Sequence, residues 1–570
     1  MAQLDFWVMA VFALLIFTIG VTFTRVGSKS SQAFFEAGGE TPWWINGLSL
    51  FISYFSAGTF VVWGSIAYKH GLVANTIQLT MAISGLLTAH FIAERWKRTG
   101  TRTAAEYIGL RFGTTAQQFY TYLILLLSLV NTSAVLYPVG KMVYVATPFS
   151  LNACIIAIGI TIVLYTAAGG LWAVLVTDVV QFVVLTAAVL IVIPAAFGEV
   201  GGVNNFLSGT PKDFFEPFSQ DYTAGFMLAF IGYQTVYIGG NWSYVQRYTS
   251  TSSERNAKKV AYLFSLLYLV SPIIWMLPPM VYRVINPSLQ GLEAEGAYMM
   301  LCQQVLPAGL IGLVLSGMIS ATSSKANTTV NLAAVVFAND VYKKVISKNA
   351  SDKTLVLIAR LFTLVFGAGT IAVAMLVPYV GGIVNVVLSI AAVAGGALFA
   401  PIIWSLFSKR QTSFSVMTTT LCALGINLFF KVLGPSLLGL SLSRTAETIM
   451  GVGLPLLVLG LFELYYRSRN QYSPEALALE RRQAEHHETT HHNHDHREAQ
   501  RQNAFGVRVI VLASAAVGLG ILVLGFLSER GSVTSVVGGI ILAFSLFGLW
   551  RLREKSPSTQ PLAEPREVKQ

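Results

Sequence analysis

Charge is scarce in this sequence: Asp, Glu, Lys and Arg make up 11% of its 570 residues, against about 25% in an ordinary soluble domain. Apolar residues fill 54% of the chain. A water-soluble protein of this length cannot hide so much apolar surface, so the solvent it implies is lipid. Cysteine is nearly absent. Cys154, Cys302 and Cys422 lie far apart, which excludes a disulfide framework and a cysteine-based metal pattern. The chain has no G-x-S-x-G elbow and no Walker A run, so serine hydrolysis and ATP-driven pumping have no visible machinery and an enzyme is not expected. No pore-loop filter or ring of repeated charge suggests a channel.

What is present is a series of long apolar runs. About fifteen of them approach the ~20 residues needed to cross a bilayer. They begin with Asp5–Thr24, include Trp43–Tyr68 and Thr223–Tyr244, and end with Val533–Trp550. The first has no basic residue before it and reads as a retained span rather than a cleaved signal. The net charge of +11 does not point to nucleic acid, because the basic residues cluster in short loops between the runs. Arg25 and Lys29, Arg95 to Arg102, Lys258 and Lys259, Lys343 and Lys344, Lys409 and Arg410, and Arg481 and Arg482 all fall on one side. That side is expected to be cytoplasmic, with the amino terminus outside, the carboxyl terminus inside and an odd number of spans.

Two runs carry small or helix-weak residues at mid-depth. In the second, Ser56, Ala57, Gly58 and Thr59 stand at the centre; in the seventh, Gly239, Gly240 and Asn241 do. Each Gly costs a helix about 1 kcal/mol relative to Ala. Such glycines can serve close helix packing. Discontinuous helices, however, build the binding sites of transporters, and here the two weak points open corresponding helices of two five-span units. The expectation is a break in both.

Several stretches resemble the sodium/solute symporter family, which includes bacterial sugar, proline and sialic acid symporters. The most specific is GGLWAVLVTDVVQ, from Gly169 to Gln181. SYFSAGTF (Ser53–Phe60), NWSYVQRY (Asn241–Tyr248) and the run SGMISATSSKANTTVNLAAVVFANDVYK are similar as well. The resemblance implies an all-α polytopic membrane protein of the LeuT type, a five-plus-five inverted repeat with extra helices at both ends. Its parts would be residues 1–42 (extra helix and loop), 43–411 (transport core), 412–467 (additional spans), 468–503 (a polar His-rich loop), 504–551 (terminal spans) and 552–570 (a disordered tail). It implies cation-coupled symport of a small polar organic solute, a sugar or sugar acid among them, with sodium as the coupling ion and no other cofactor. A lipid bilayer and a small solute are the partners implied, and nucleic acid is not.

The resemblance also carries residues. Carbonyls that hold sodium in relatives fall on Ile52, Phe55 and Ala321, and the paired hydroxyl positions on Ser324 and Lys325. A lysine there departs from the pattern. A charged side chain at the helix centre costs about 2.5 to 3.5 kcal/mol, so Lys325 should face a partner or a watery cavity, and Asp178 is the mid-span charge expected to pair with it. Three readings stand. Lys325 is a fixed substitute for sodium, a proton-coupling group, or a bystander that snorkels toward the cytoplasmic side. The first two would make the carrier sodium-independent or proton-coupled. Solute positions fall on Thr59, Gln78, Gln234, Tyr237 and Tyr268, where sugar-carrying relatives tend to have Glu in place of Gln78 and Lys in place of Tyr268. Amides and phenols both donate and accept, which suits a polyhydroxy or neutral polar solute. The His486–His496 tract reads as a solvated loop rather than a metal site. Asn385 and Ser389 read as helix-helix polar residues or cavity neighbours.

Overall fold

The computed structural model describes residues 1–27, 41–101, 103–165, 171–347, 351–489, 495–528 and 531–554. Among the described residues the regular structure is all helical. In chain order the main helices are α1 (Gln3–Gly27), α2 (Trp43–Tyr54), α3 (Thr59–His70), α4 (Leu72–Arg98), α5 (Ala104–Phe112), α6 (Thr114–Ala146), α7 (Leu151–Tyr165) and α8 (Leu171–Glu199). Then come α9 (Ala224–Gly240), α10 (Trp242–Thr249), α11 (Glu254–Ile285), α12 (Ala297–Val305), α13 (Leu310–Val336), α14 (Asp352–Leu376) and α15 (Gly382–Ser405). The last are α16 (Ser413–Leu438), α17 (Arg444–Ser468), α18 (Pro474–Thr489), α19 (Asp495–Leu527) and α20 (Ser532–Glu554).

Helices this apolar satisfy every backbone group internally, which is what lipid requires. Among the described residues eleven are long and apolar enough to cross a membrane, or up to twelve when α2 and α3 count as one span bent by 51°. The sequence led us to expect about fifteen. The other expected spans depart from the simple pattern for physical reasons. α7 contributes only the short apolar stretch Leu151–Val163, and α13 only Leu310–Ser323. Beyond that point α13 turns polar. α9 and α10 have 17 and 8 residues and are split from each other.

α2 to α8 and α9 to α15 form the two repeats, each opened by an interrupted helix. α11 packs on α2 and α4, and α8 packs on both α2 and α13. α1 braces α13 through a buried carboxylate. Asp5 Oδ1 accepts the Gly309 and Gly312 N–H groups at 2.7 and 3.0 Å, placing negative charge where a helix start favours it. A Cβ at Gly312 would come within 2.2 Å of the Asp5 carbonyl, so only glycine allows this approach.

The 468–503 segment is more structured than the loop expected. α18 packs on α5, burying Ala476 and Leu479, while Arg111 of α5 donates to Ser473 Oγ and the Ser408 carbonyl, both at 3.1 Å. The side chains of His486–His496 lie outside the described residues, as do residues 555–570 of the expected tail.

Candidate functional site

The first interruption falls at Phe55 and Ser56. Phe55 is extended (φ −86°, ψ 109°), and its ring is buried against Trp275. The Thr59 hydroxyl bridges the two half-helices. It accepts the Ser56 N–H and donates to the Tyr54 carbonyl, each at 3.2 Å. Because Ser56 N–H turns to Thr59, it does not continue the helical ladder to Ile52. Ala57 and Gly58 already lie in the renewed helix.

The second interruption is a single residue, Asn241, extended at φ −63°, ψ 128°. Its side chain caps α10 by accepting Ser243 N–H at 3.0 Å. Gly239 and Gly240 are the last residues of α9 and serve close packing. A Cβ on Gly239 would meet Ile92, and one on Gly240 would meet Phe399, each at 2.7 Å. The Gly239 carbonyl, left without a helical partner, accepts the Trp96 indole N–H at 2.6 Å.

Between the two interruptions lies a cavity of about 230 Å3. Ile52 and Ser53 line it from α2, Asn131 from α6, Asp178 from α8, Tyr237 from α9, Arg247 from α10, and Ala321 and Lys325 from α13. It reaches toward the end of the bundle that carries the basic loops, where Thr121 and Val336 also line it.

Asp178 is buried and accepts the Ser49 hydroxyl at 2.6 Å. Its cationic partner is Arg247, at 3.8 Å, which also donates to Ser49 Oγ at 3.3 Å and to the Ser243 carbonyl at 2.7 Å. The expected Asp178–Lys325 pair is therefore replaced. Arg247 reaches Asp178 from the second broken helix, whereas Asp178 acts on Lys325 only at longer range. Among the described residues the Lys325 amine makes no hydrogen bond and no ion pair within 4.0 Å. Arg247 was visible in the NWSYVQRY stretch, but it lies three residues past the Thr223–Tyr244 run and so was not counted as a charge within a span. The Ser324 side chain lies outside the described residues, and the neighbouring Ser323 hydroxyl is spent on the Ile319 carbonyl.

The expected solute residues fall into two groups. Tyr237 lines the cavity. Thr59, Gln78, Gln234 and Tyr268 are buried behind it, at most 4% exposed. Tyr54 stands between, in edge contact with Tyr237 and Tyr268 and 3.5 Å from Gln234 Oε1. Among the described residues neither the Oε1 nor the Nε2 of Gln78 has a hydrogen-bond partner. An unpaired buried polar atom costs about 1–3 kcal/mol, so this amide is poised for a ligand atom or water. Asn385 is elsewhere: it accepts from Arg444 at 3.1 Å, and neither it nor Ser389 lines the cavity.

At the end away from the basic loops the path is shut. Phe60 stacks on Tyr298 at 4.0 Å. The segment before α12 lies across the opening, where Glu295 accepts the Tyr137 hydroxyl at 2.7 Å and the Ile383 N–H at 3.0 Å. Lys69 donates to the Gly291 carbonyl at 2.9 Å. Glu295 is 3% exposed, and that burial raises its carboxyl pKa above the ordinary glutamate value.

A mostly apolar cavity that carries three charged side chains, Asp178, Arg247 and Lys325, and is walled by two interrupted helices defines an integral membrane carrier of small solutes. The sequence profile of the sodium:solute symporter family matches residues 34–422, and the chain belongs to that family. It is 26% identical over 465 residues to the sodium/glucose cotransporter of Vibrio parahaemolyticus, covering 75% of this chain and 85% of that protein. It is 27% identical to the human sodium/iodide cotransporter (78% and 72% covered) and 27% identical to the sodium/sialic acid symporter of Aliivibrio fischeri (63% and 74% covered). A solved substrate-bound, outward-open sodium-coupled sialic acid symporter superposes with a TM-score of 0.66 at 21% identity, covering 80% of this chain and 97% of that one. The fold is therefore the all-helical five-plus-five repeat, and the chain is a secondary transporter of the sodium-coupled symporter class.

Proposed function

We propose that this protein lies in the plasma (inner) membrane and uses a sodium gradient to take up a small polar organic solute by alternating access. The basic end is cytoplasmic by the charge rule, which puts the amino terminus outside and the carboxyl terminus inside. The conformation described here then faces inward. One observation carries the reading: a single cavity is lined from both interrupted helices, α2 by Ile52 and Ser53 and α10 by Tyr244 and Arg247.

Sodium would be held at the first interruption by the carbonyls of Ile52, Phe55 and Ala321 and the hydroxyl of Ser324. The diversion of Ser56 N–H to Thr59 supports this, because it leaves the Ile52 carbonyl outside the helical ladder. The solute would enter at Tyr237 and settle against Gln78, Gln234, Thr59 and Tyr268, with the unpaired Gln78 amide as its polar anchor. Sugars and sugar acids are the solutes favoured by the glucose and sialic acid relatives.

The test is uptake by proteoliposomes under an imposed inward sodium gradient, using labelled glucose, sialic acid and lactate. Accumulation above equilibrium that collapses with a sodium ionophore is the expected result. Uptake that only equilibrates, or that ignores sodium, overturns the reading in favour of a facilitator.

A further inference from the structure

We propose that the solute carries a carboxylate that sits against Lys325 while its remainder extends past Tyr237 toward the Gln78 amide, and that this anion permits sodium to bind beside it. The inference rests on the proposed function and deepens it by assigning the solute's charge.

Three charged side chains line the cavity: Asp178, Arg247 and Lys325. Asp178 and Arg247 answer each other and are tied together through Ser49. Arg247 is further fixed by the Ser243 carbonyl. That leaves one positive charge over. Among the described residues nothing pairs with the Lys325 amine, and no second carboxylate lines the cavity. The other titratable groups on the wall are the phenols of Tyr233, Tyr237 and Tyr244, which carry no charge near neutral pH. A buried ammonium without a counter-charge is unfavourable, and buried charges are ordinarily paired. Asp178, already answered by Arg247, acts on Lys325 only at longer range, and a ligand anion would complete the charge balance among the described residues. Asn131 supplies an amide donor on the same wall, and α6 packs on α13. An ammonium and an amide N–H together suit the two oxygens of a carboxylate.

The position of Lys325 makes the anion more than a passenger. Ala321 lies one helical turn before it and lines the same cavity as Ile52, so sodium at those carbonyls would meet the ammonium as a like charge. A carboxylate on Lys325 removes that repulsion. Binding is then mutually dependent, because coupling between two sites is reciprocal. An uncharged sugar cannot supply this effect.

The test measures radioactive sodium binding to the purified full-length protein, with lactate, acetate, sialic acid, glucose or no solute, in wild type, Lys325→Met and Lys325→Arg. Sodium affinity should rise about tenfold with one or more of the carboxylates and not with glucose. Lys325→Met should bind sodium about tenfold more tightly than wild type without solute and lose the carboxylate effect, whereas Lys325→Arg should keep it. Saturable sodium binding shows that each variant is folded. A glucose effect equal to that of the carboxylates overturns the proposal while leaving symport intact. So does a carboxylate effect that survives in Lys325→Met, or the absence of any carboxylate effect in wild type. No sodium binding by wild type under any condition overturns the symport reading as well.

Discussion

At the end of the path away from the basic loops, closure is made by a short segment laid across the bundle. Glu295 ties it to α6 through Tyr137 and to α15 through Ile383 N–H, and Lys69 holds it from α3. At the basic end the corresponding depth is hollow, and its polar contacts run between α2, α8 and α10 rather than across the opening. The shut end uses few contacts that a small rigid movement can release. The hollow end holds a buried ion pair that joins a broken helix to an unbroken one. This asymmetry fits a carrier caught on one side of its cycle, where the seal must be reversible and the charge framework must persist.

The largest effect should come from breaking that framework. Arg247→Gln leaves Asp178 buried with the Ser49 hydroxyl and only the longer-range attraction of Lys325, and removing one partner of a buried pair costs about 3–5 kcal/mol. The melting temperature should fall clearly and sodium-driven uptake should drop on the order of a hundredfold. The paired change Asp178→Asn with Arg247→Gln should recover much of the stability. No recovery in that double variant would mean the two residues act separately.

A smaller effect is expected at the seal. Gly382 has φ +84°, and a Cβ there would come within 2.5 Å of both Glu295 Oε1 and Leu292. A left-handed conformation costs a residue with a Cβ roughly 1–2 kcal/mol. Gly382→Ala should therefore favour opening at that end by about tenfold. The readout is the rate at which a Ser53→Cys variant, lacking the three native cysteines, reacts with an impermeant maleimide added from the sealed side. An unchanged rate would remove Gly382 from the seal.

The smallest effect is on pH. Burial raises the Glu295 carboxyl pKa in the sealed state, whereas in an opened, hydrated state it should return toward the ordinary value. The sealed state then binds the proton more tightly. Acid favours the seal, and this contribution is lost as pH rises through the raised pKa. The groups facing Glu295 are Tyr137 and Lys141 from α6 and Lys69 from α3, with Glu293 on its own segment, near Lys141. Both lysines remain protonated in mild acid. The ratio of labelling from the sealed side to labelling from the basic side at the same pH, in which thiol ionisation cancels, should fall as pH drops toward the ordinary glutamate range, about 4.3, and Glu295→Gln should flatten that ratio.

The contrast between the two ends also separates what was legible in the sequence from what was not. The interruptions were readable because they depend on local chemistry: Ser56, Gly58 and Thr59, and Gly239 to Asn241, are weak helix formers within apolar runs. The division of labour within them was not. Thr59 proves to bridge the half-helices, and Gly239 and Gly240 pack against Ile92 and Phe399 while Asn241 carries the extended residue. Those roles depend on neighbours distant in the chain. The same limit misassigned the partner of Asp178, since Arg247 reaches it only once α8 and α10 are placed. Glu295 and Tyr137 are 158 residues apart, and nothing local to either marks a seal. The His-rich stretch drew attention by composition alone. It spells H-E-x-x-H from His487 to His491, a pattern that ligates metal where it lies on a helix, and its side chains lie outside the described residues.

Side-specific labelling of Ser53→Cys tests alternating access about the two interruptions most directly. Ser53 lines the cavity and should be reached from the basic side in the conformation described. Saturating sodium, high enough to offset its weaker binding beside Lys325 when the solute is absent, should move this reactivity toward the opposite face and lower it on the basic side. Reactivity confined to one face at every sodium concentration would contradict a carrier that turns about this site.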